Sequence, residues 1–255
     1  TGRGDESALS VGASGGGRAQ HPLVAHVGWE LNGPSAGRFM AHYREDIMHL
    51  NLLVFIAVSS GALAQSAVVG WGRVVFNSSW THEPFVEIAS GHSHAMARRS
   101  DGTVVAWGQN DSHQCRVPPP PPGTSYVGIA GGYYHSLARR SDGSLAAWGR
   151  NDYGQCAVPA LPSGLAFVEA AAGESHSVAR RNDGSIVAWG LNQHGQCGVP
   201  ALPIGLVYLE IACGRNHTLA RRSDGSIVAW GSNPAGQCAV PALTPGLGHV
   251  ALSVG

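Results

Sequence analysis

Residues 168–208 read VEAAAGESHSVARRNDGSIVAWGLNQHGQCGVPALPIGLVY, and close copies of this stretch start at Val86, Val127 and Leu209. The spacing between copies is constant. His94, His135, His176 and His217 lie 41 residues apart, as do Trp107, Trp148, Trp189 and Trp230, and Cys115, Cys156, Cys197 and Cys238 keep the same step. A period near 40 residues marks an array in which one supersecondary unit buries its apolar face against its own copies. Each unit contains three expected strands, which in the first copy are Val86–Ala89, His94–Arg99 and Thr103–Trp107. Ser100-Asp101-Gly102 separates the last two, and Asp-Gly between apolar runs is a hairpin signal. Both flanks are almost continuously apolar, the pattern of strands covered on both faces. The connector that follows holds Val117 and the prolines Pro118–Pro122. Proline cannot donate to a ladder, so this part is loop or outer edge. Small antiparallel sheets packed face to face about an axis describe an all-β protein, a β-propeller.

Composition narrows the function classes. The 255 residues carry 16 basic and 16 acidic side chains, so no net field draws the chain to nucleic acid or to an anionic membrane. The 36 glycines and 15 prolines recur at fixed places in the repeat and read as turn chemistry.

Upstream of the repeats the pattern changes. Residues 1–47 are Gly/Ser-rich at their start and sustain no period in their first 39 positions, and are expected to be disordered or an over-extended reading frame. Residues 48–64, an apolar run ending in Ala62-Leu63-Ala64, resemble a secretory signal peptide cleaved before Gln65. The alternative is a buried helix or strand ahead of the repeats. Residues 65–255 are the repeat region: a partial copy at 66–85 with its own Val69-Gly70-Trp71, full copies at 86–126, 127–167, 168–208 and 209–249, and the opening of another at 250–255.

The repeated pattern A-x-G-x-x-H-S-x-A-x-R-x-D-G-x-[VIL]-x-A-W-G-x-N-x-x-G-Q-C-x-V-P resembles the regulator of chromosome condensation repeat family. With a 41-residue unit it is similar to a compact bacterial branch that includes a propeller-type β-lactamase inhibitory protein. The resemblance implies a seven-bladed ring. Seven such units need roughly 290 residues, so the chain is expected to form an incomplete ring whose open blade faces could self-associate. It also implies a secreted or periplasmic, non-enzymatic protein that binds another protein, with no cofactor, no nucleic-acid partner and no membrane insertion once a leader is removed. The family's eukaryotic founder, a nucleotide-exchange factor for a small GTPase, supplies the alternative function.

Four equivalent histidines invite a metal or acid/base reading. Positions repeated on successive blades are spread around an axis, whereas zinc needs ligands converging to about 2.1 Å from one point. The histidines are therefore read as structural, in line with the family, and no metal is expected. The cysteines, one per unit plus Cys213, are expected to be free, buried thiols, since neighbouring equivalents are too far apart for a disulfide. Each Arg-Arg pair (Arg98/Arg99 and its copies) is expected to ladder with Asp101 and its equivalents between neighbouring hairpins, in preference to forming an anion-binding row.

Function is expected where the copies differ. Between the repeated Gly and His stand His92-Ser93, Tyr133-Tyr134, Glu174-Ser175 and Arg215-Asn216, and the loop after the second Trp-Gly adds Tyr153. Variable loops on a rigid scaffold are how binding surfaces are commonly built. These nine residues are the candidate partner-binding set. A hydrolase is the remaining class, disfavoured because no nucleophile–base pair or paired carboxylates interrupt the repeat.

Overall fold

The computed structural model describes residues 36–40, 53–59, 67–71, 85–241 and 252. Four three-stranded antiparallel sheets account for the repeats. The first holds β4 (Phe85–Ser90), β5 (His94–Arg99) and β6 (Val104–Gly108); the second holds β7 (Tyr126–Gly131), β8 (His135–Arg140) and β9 (Leu145–Gly149). The third holds β10 (Phe167–Ala172), β11 (His176–Arg181) and β12 (Ile186–Gly190), and the fourth β13 (Tyr208–Cys213), β14 (His217–Arg222) and β15 (Ile227–Gly231). In every sheet the strand order follows the chain. A further sheet of the same order lies upstream: β1 (Ala36–Met40), β2 (Leu53–Ser59) and β3 (Ala67–Trp71). The copy read as partial from residue 66 thus supplies a third strand, and the strands it pairs with come from earlier sequence. One of those, Ala36–Met40, falls in the stretch expected to be disordered. The other, Leu53–Ser59, falls in the leader-like run, whose remaining residues lie outside the described ones.

The hairpin turn explains why β11 and β12 meet. Arg181 N–H donates to Ser185 O at 2.8 Å and Gly184 N–H to Arg181 O at 2.9 Å. The Asp183 carboxylate accepts from both the N–H and the hydroxyl of Ser185, which holds it below the usual carboxylate range. Gly184 has φ +79°, and a Cβ there would stand 2.5 Å from the Cβ of Val207 on the next blade. Only glycine satisfies both conditions.

The first strand of each blade carries a bulge, between Phe167 and Glu169 in β10 and at the equivalent place in β4, β7 and β13. The extra residue turns Glu169 away from the side taken by Phe167. Phe167 packs with Trp189 of its own blade and with Leu137 and Leu145 of the preceding one, while Glu169 reaches the following one and accepts from Ile211 N–H at 3.1 Å. Middle strands β5, β8 and β11 are buried over their first four residues. The third strands, read as equally covered, are mostly half-buried. Connector residues Val158 and Leu161 pack into the Trp189 cluster, and Val199 and Leu202 into the Trp230 cluster. The apolar core is therefore a series of slabs; three of the four are shared by two successive blades, and the one around Trp107 is built from the first blade alone.

Candidate functional site

Blade-to-blade polar contacts repeat as regularly as the sequence does. The His135 ring touches the Ser177 hydroxyl of the next blade at 2.9 Å, and Ser177 donates its single hydrogen to Gln155 O at 2.8 Å. A hydroxyl that has given away its hydrogen can only accept from histidine, so His135 carries its proton on Nε2. Gln155 O also accepts from Trp189 Nε1 at 2.9 Å, which uses both its lone pairs. The same relay joins His94 to Ser136 and Gln114, and His176 to Thr218 and Gln196. Burial pushes His94 and His176 down to about 4 and His135 to about 3. These rings are neutral clamps between blades.

The cysteines hold loops. Cys156 N–H donates to Asn151 Oδ1 at 2.8 Å and its thiol to Arg150 O at 3.3 Å, a pattern shared by Cys115, Cys197 and Cys238. All five cysteines are free and half-buried where full burial was expected; in Cys115, Cys156, Cys197 and Cys238 the thiol lies at the loop edge to reach its carbonyl, while Cys213 ends β13. The Arg/Asp ladder also differs from expectation. Arg98, Arg180 and Arg221 instead pair with Glu87, Glu169 and Glu210, which stand opposite them on the first strand of their own blade at 2.7, 2.7 and 3.0 Å. The aspartates are occupied by their own turns. Among the described residues no group of three or more His, Cys, Asp or Glu converges in a way that could hold a metal ion.

The variable residues meet at one rim. The Gly-x-x-His loops are stitched to one another by main-chain bonds: His92 N–H to Gly132 O at 3.3 Å, Tyr133 N–H to Gly173 O at 3.2 Å and Glu174 N–H to Arg215 O at 2.8 Å. These bonds bring the ends of four first strands around a recess of about 240 Å³, lined among others by His92, Tyr133, Gly173, Cys213 and Arg215. The His92 and Tyr133 rings stack at 4.2 Å with 4° between planes, and Tyr134 stands edge-on to both. The Arg215 guanidinium lies 5.6 Å from the Tyr133 ring centre and pairs with Glu174 at 2.7 Å, which also accepts from Asn216 Nδ2 at 3.3 Å. Six of the nine candidate residues therefore form one connected cluster across four blades.

The other three sit differently. Ser175 is buried at 5% exposure, its carbonyl accepting from Leu191 N–H, so it supports the loop from beneath. Ser93 is half-buried and its carbonyl does the same for Gln109 N–H. Tyr153 is 47% exposed on the adjoining loop. Arg150, absent from the candidate set, belongs to the cluster: it lies 5.7 Å from the Tyr134 ring centre and is paired with Asp152. Its position just after Trp148-Gly149 in a varying loop was the available signal.

Comparison with known proteins agrees with this geometry. A profile of the Regulator of chromosome condensation (RCC1) repeat matches residues 85–114, 126–155, 167–196 and 209–237. The chain belongs to the regulator of chromosome condensation repeat family. No curated protein matches the sequence. Among solved structures it is similar to Prp20p from Saccharomyces cerevisiae, described with its binding properties to Gsp1p and histones: TM-score 0.53, 26% identity, 66% of this chain and 50% of that one. Human WBSCR16 (TM-score 0.53, 17% identity, 67% and 53% covered) and the ectodomain of the Physcomitrella patens receptor kinase CR4 (0.54, 22%, 72% and 48%) share the fold. The chain spans about half the length of these three proteins.

Proposed function

We propose that this RCC1-repeat chain is a non-enzymatic binding module that engages another protein through the rim of Gly-x-x-His loops. The carrying observation is the stacked His92–Tyr133 pair continued by Arg215 and Glu174, four residues from four blades in contact around one recess. Tyr and Arg are the side chains that most often dominate interface energetics. Here their rotamers are restrained by mutual stacking and ion pairing, which lowers the ordering cost of binding. Double replacement Tyr133→Ala/Tyr134→Ala tests the reading. Binding to a partner captured by the wild-type chain should fall at least about tenfold, a loss of roughly 1.4 kcal/mol, with the melting temperature nearly unchanged. Undiminished binding sinks the assigned rim.

Prp20p favours a second reading, because its described partners include Gsp1p. Acceleration of nucleotide release from a small GTPase by this chain would establish exchange activity in place of simple binding. Export belongs to the first proposal: residues 48–64 act as a leader and the mature chain begins at Gln65. N-terminal sequencing of protein from the culture medium decides it; a start upstream of residue 48 would leave β2 as a permanent strand.

A further inference from the structure

Glu87, Glu169 and Glu210 each do two things at once. One oxygen pairs with the arginine opposite (Arg98, Arg180, Arg221), and the other accepts a main-chain N–H from the next stretch of chain: Ile129 at 3.1 Å and Ile211 at 3.1 Å, both in the first strand of the following blade, and Leu252 at 3.0 Å. The first strand is an edge of its own sheet, and the glutamate satisfies a donor that has no ladder partner. The second blade breaks the pattern. Gly128 stands where the others have glutamate, facing Arg139 across the strand pair. The Arg139 guanidinium has folded over this glycine: a Cβ at 128 would lie 3.5 Å from its Nε, and its nearest acceptor is Val127 O at 3.4 Å. Of the described arginines in this row it alone has no carboxylate. Ala170 stands one repeat after Ile129 and one before Ile211, whose N–H groups meet the glutamates of the preceding blades, and at the equivalent place Gly128 has no side chain to accept from it.

We propose that Arg139, the Ala170 N–H and the side-chain-free face of Gly128, over which the Arg139 guanidinium now lies, form a binding site for a carboxylate supplied from outside the chain. The chemistry is read directly from the three filled copies: a planar two-oxygen anion takes one charge-assisted bond from guanidinium and one from a main-chain N–H. Gly128, Arg139 and Ala170 are half-buried, so the site is reachable and partly shielded from water. The flanking carboxylates Glu87 and Glu169 are each neutralised by their own arginine and leave Arg139 as the uncompensated charge. The ligand is either a small free carboxylic acid or the acidic side chain of a protein. The site lies three residues along the strand from the rim, and its failure leaves the rim reading intact.

The test follows the Ala170 amide and Arg139 Nε–H resonances of the full chain during titration with sodium propionate and, separately, with acetyl-Gly-Glu-Gly-amide. Saturable shifts are expected in wild type, and binding weaker by at least about tenfold in both Gly128→Glu and Arg139→Gln. Gly128→Glu installs the residue found in three equivalent blades, so it should fold and melt higher than wild type. Saturation by propionate assigns a small free acid; saturation by the peptide alone assigns a protein side chain. Shifts that fail to saturate with either probe, or that are identical in all three proteins, overturn the proposal.

Discussion

His135 on one blade donates to Ser177 on the next, and Ser177 passes its own hydrogen back to Gln155 of the first blade. Each blade is therefore clamped by a group that begins and ends on its predecessor. Replacing Ser177 with Ala leaves the His135 N–H without an acceptor and removes one donor from Gln155 O. Such buried orphans cost about 1–3 kcal/mol each. Urea unfolding of Ser177→Ala should show a loss in that range; a loss inside about 0.3 kcal/mol would mean that the relay contributes nothing.

The same histidines set an acid limit. Their folded values, about 4, 3 and 4 for His94, His135 and His176, lie below the ordinary 6.5. As pH falls below 6.5 the unfolded chain takes up protons that the folded chain refuses, so stability is full above that pH and declines toward pH 4. The slope approaches about 1.4 kcal/mol per pH unit for each ring. Urea midpoints measured from pH 7 to pH 4.5 should fall steeply, and His135→Gln should flatten the curve. A pH-independent midpoint would contradict the buried neutral rings.

Trp189 is 8% exposed and packs among Leu137, Leu145 and Phe167, so it joins two blades. Trp189→Ala should cost about 3–5 kcal/mol. A loss below about 1 kcal/mol would mean that the slab between blades is not a packed core.

Gly173 is needed for space. A Cβ there would overlap the His176 ring and stand 2.8 Å from Gly214 O on the next blade. Gly173→Ala should displace the ring and cost more than about 2 kcal/mol. Gly198→Ala is the control, since Ala157 and Ala239 already occupy the equivalent place; it should stay within about 0.5 kcal/mol. Equal melting temperatures for the two variants would rule out the close approach.

The thiols should react slowly. Burial raises Cys115, Cys156 and Cys197 to about 11, so little thiolate exists at pH 8. Alkylation in native buffer should lag far behind alkylation in urea, and rapid native labelling of Cys115, Cys156 and Cys197 would refute their part-buried, hydrogen-bonded placement.

The period, the three strands, the Asp-Gly hairpins and the loops that carry variation were all legible in one dimension, because turn chemistry and apolar runs act over a few residues. Partnerships were not. His135 meets Ser177, 42 positions away, and Glu169 meets the N–H of Ile211 at the same separation. A repeat places every residue type in every copy, so the pattern shows that His, Ser and Glu recur without showing which copy answers which. That pairing comes only from the stacking of blades. The bulge at Val168 made Arg180 face Glu169, and the aspartates that seemed the natural partners were taken up by their own turns. At the rim, sequence alone marked the loops that vary, since variation stands out against a fixed pattern. Only the tertiary structure decided that His92, Tyr133, Glu174 and Arg215 touch, because main-chain bonds between successive Gly-x-x-His loops draw four distant segments into one cluster.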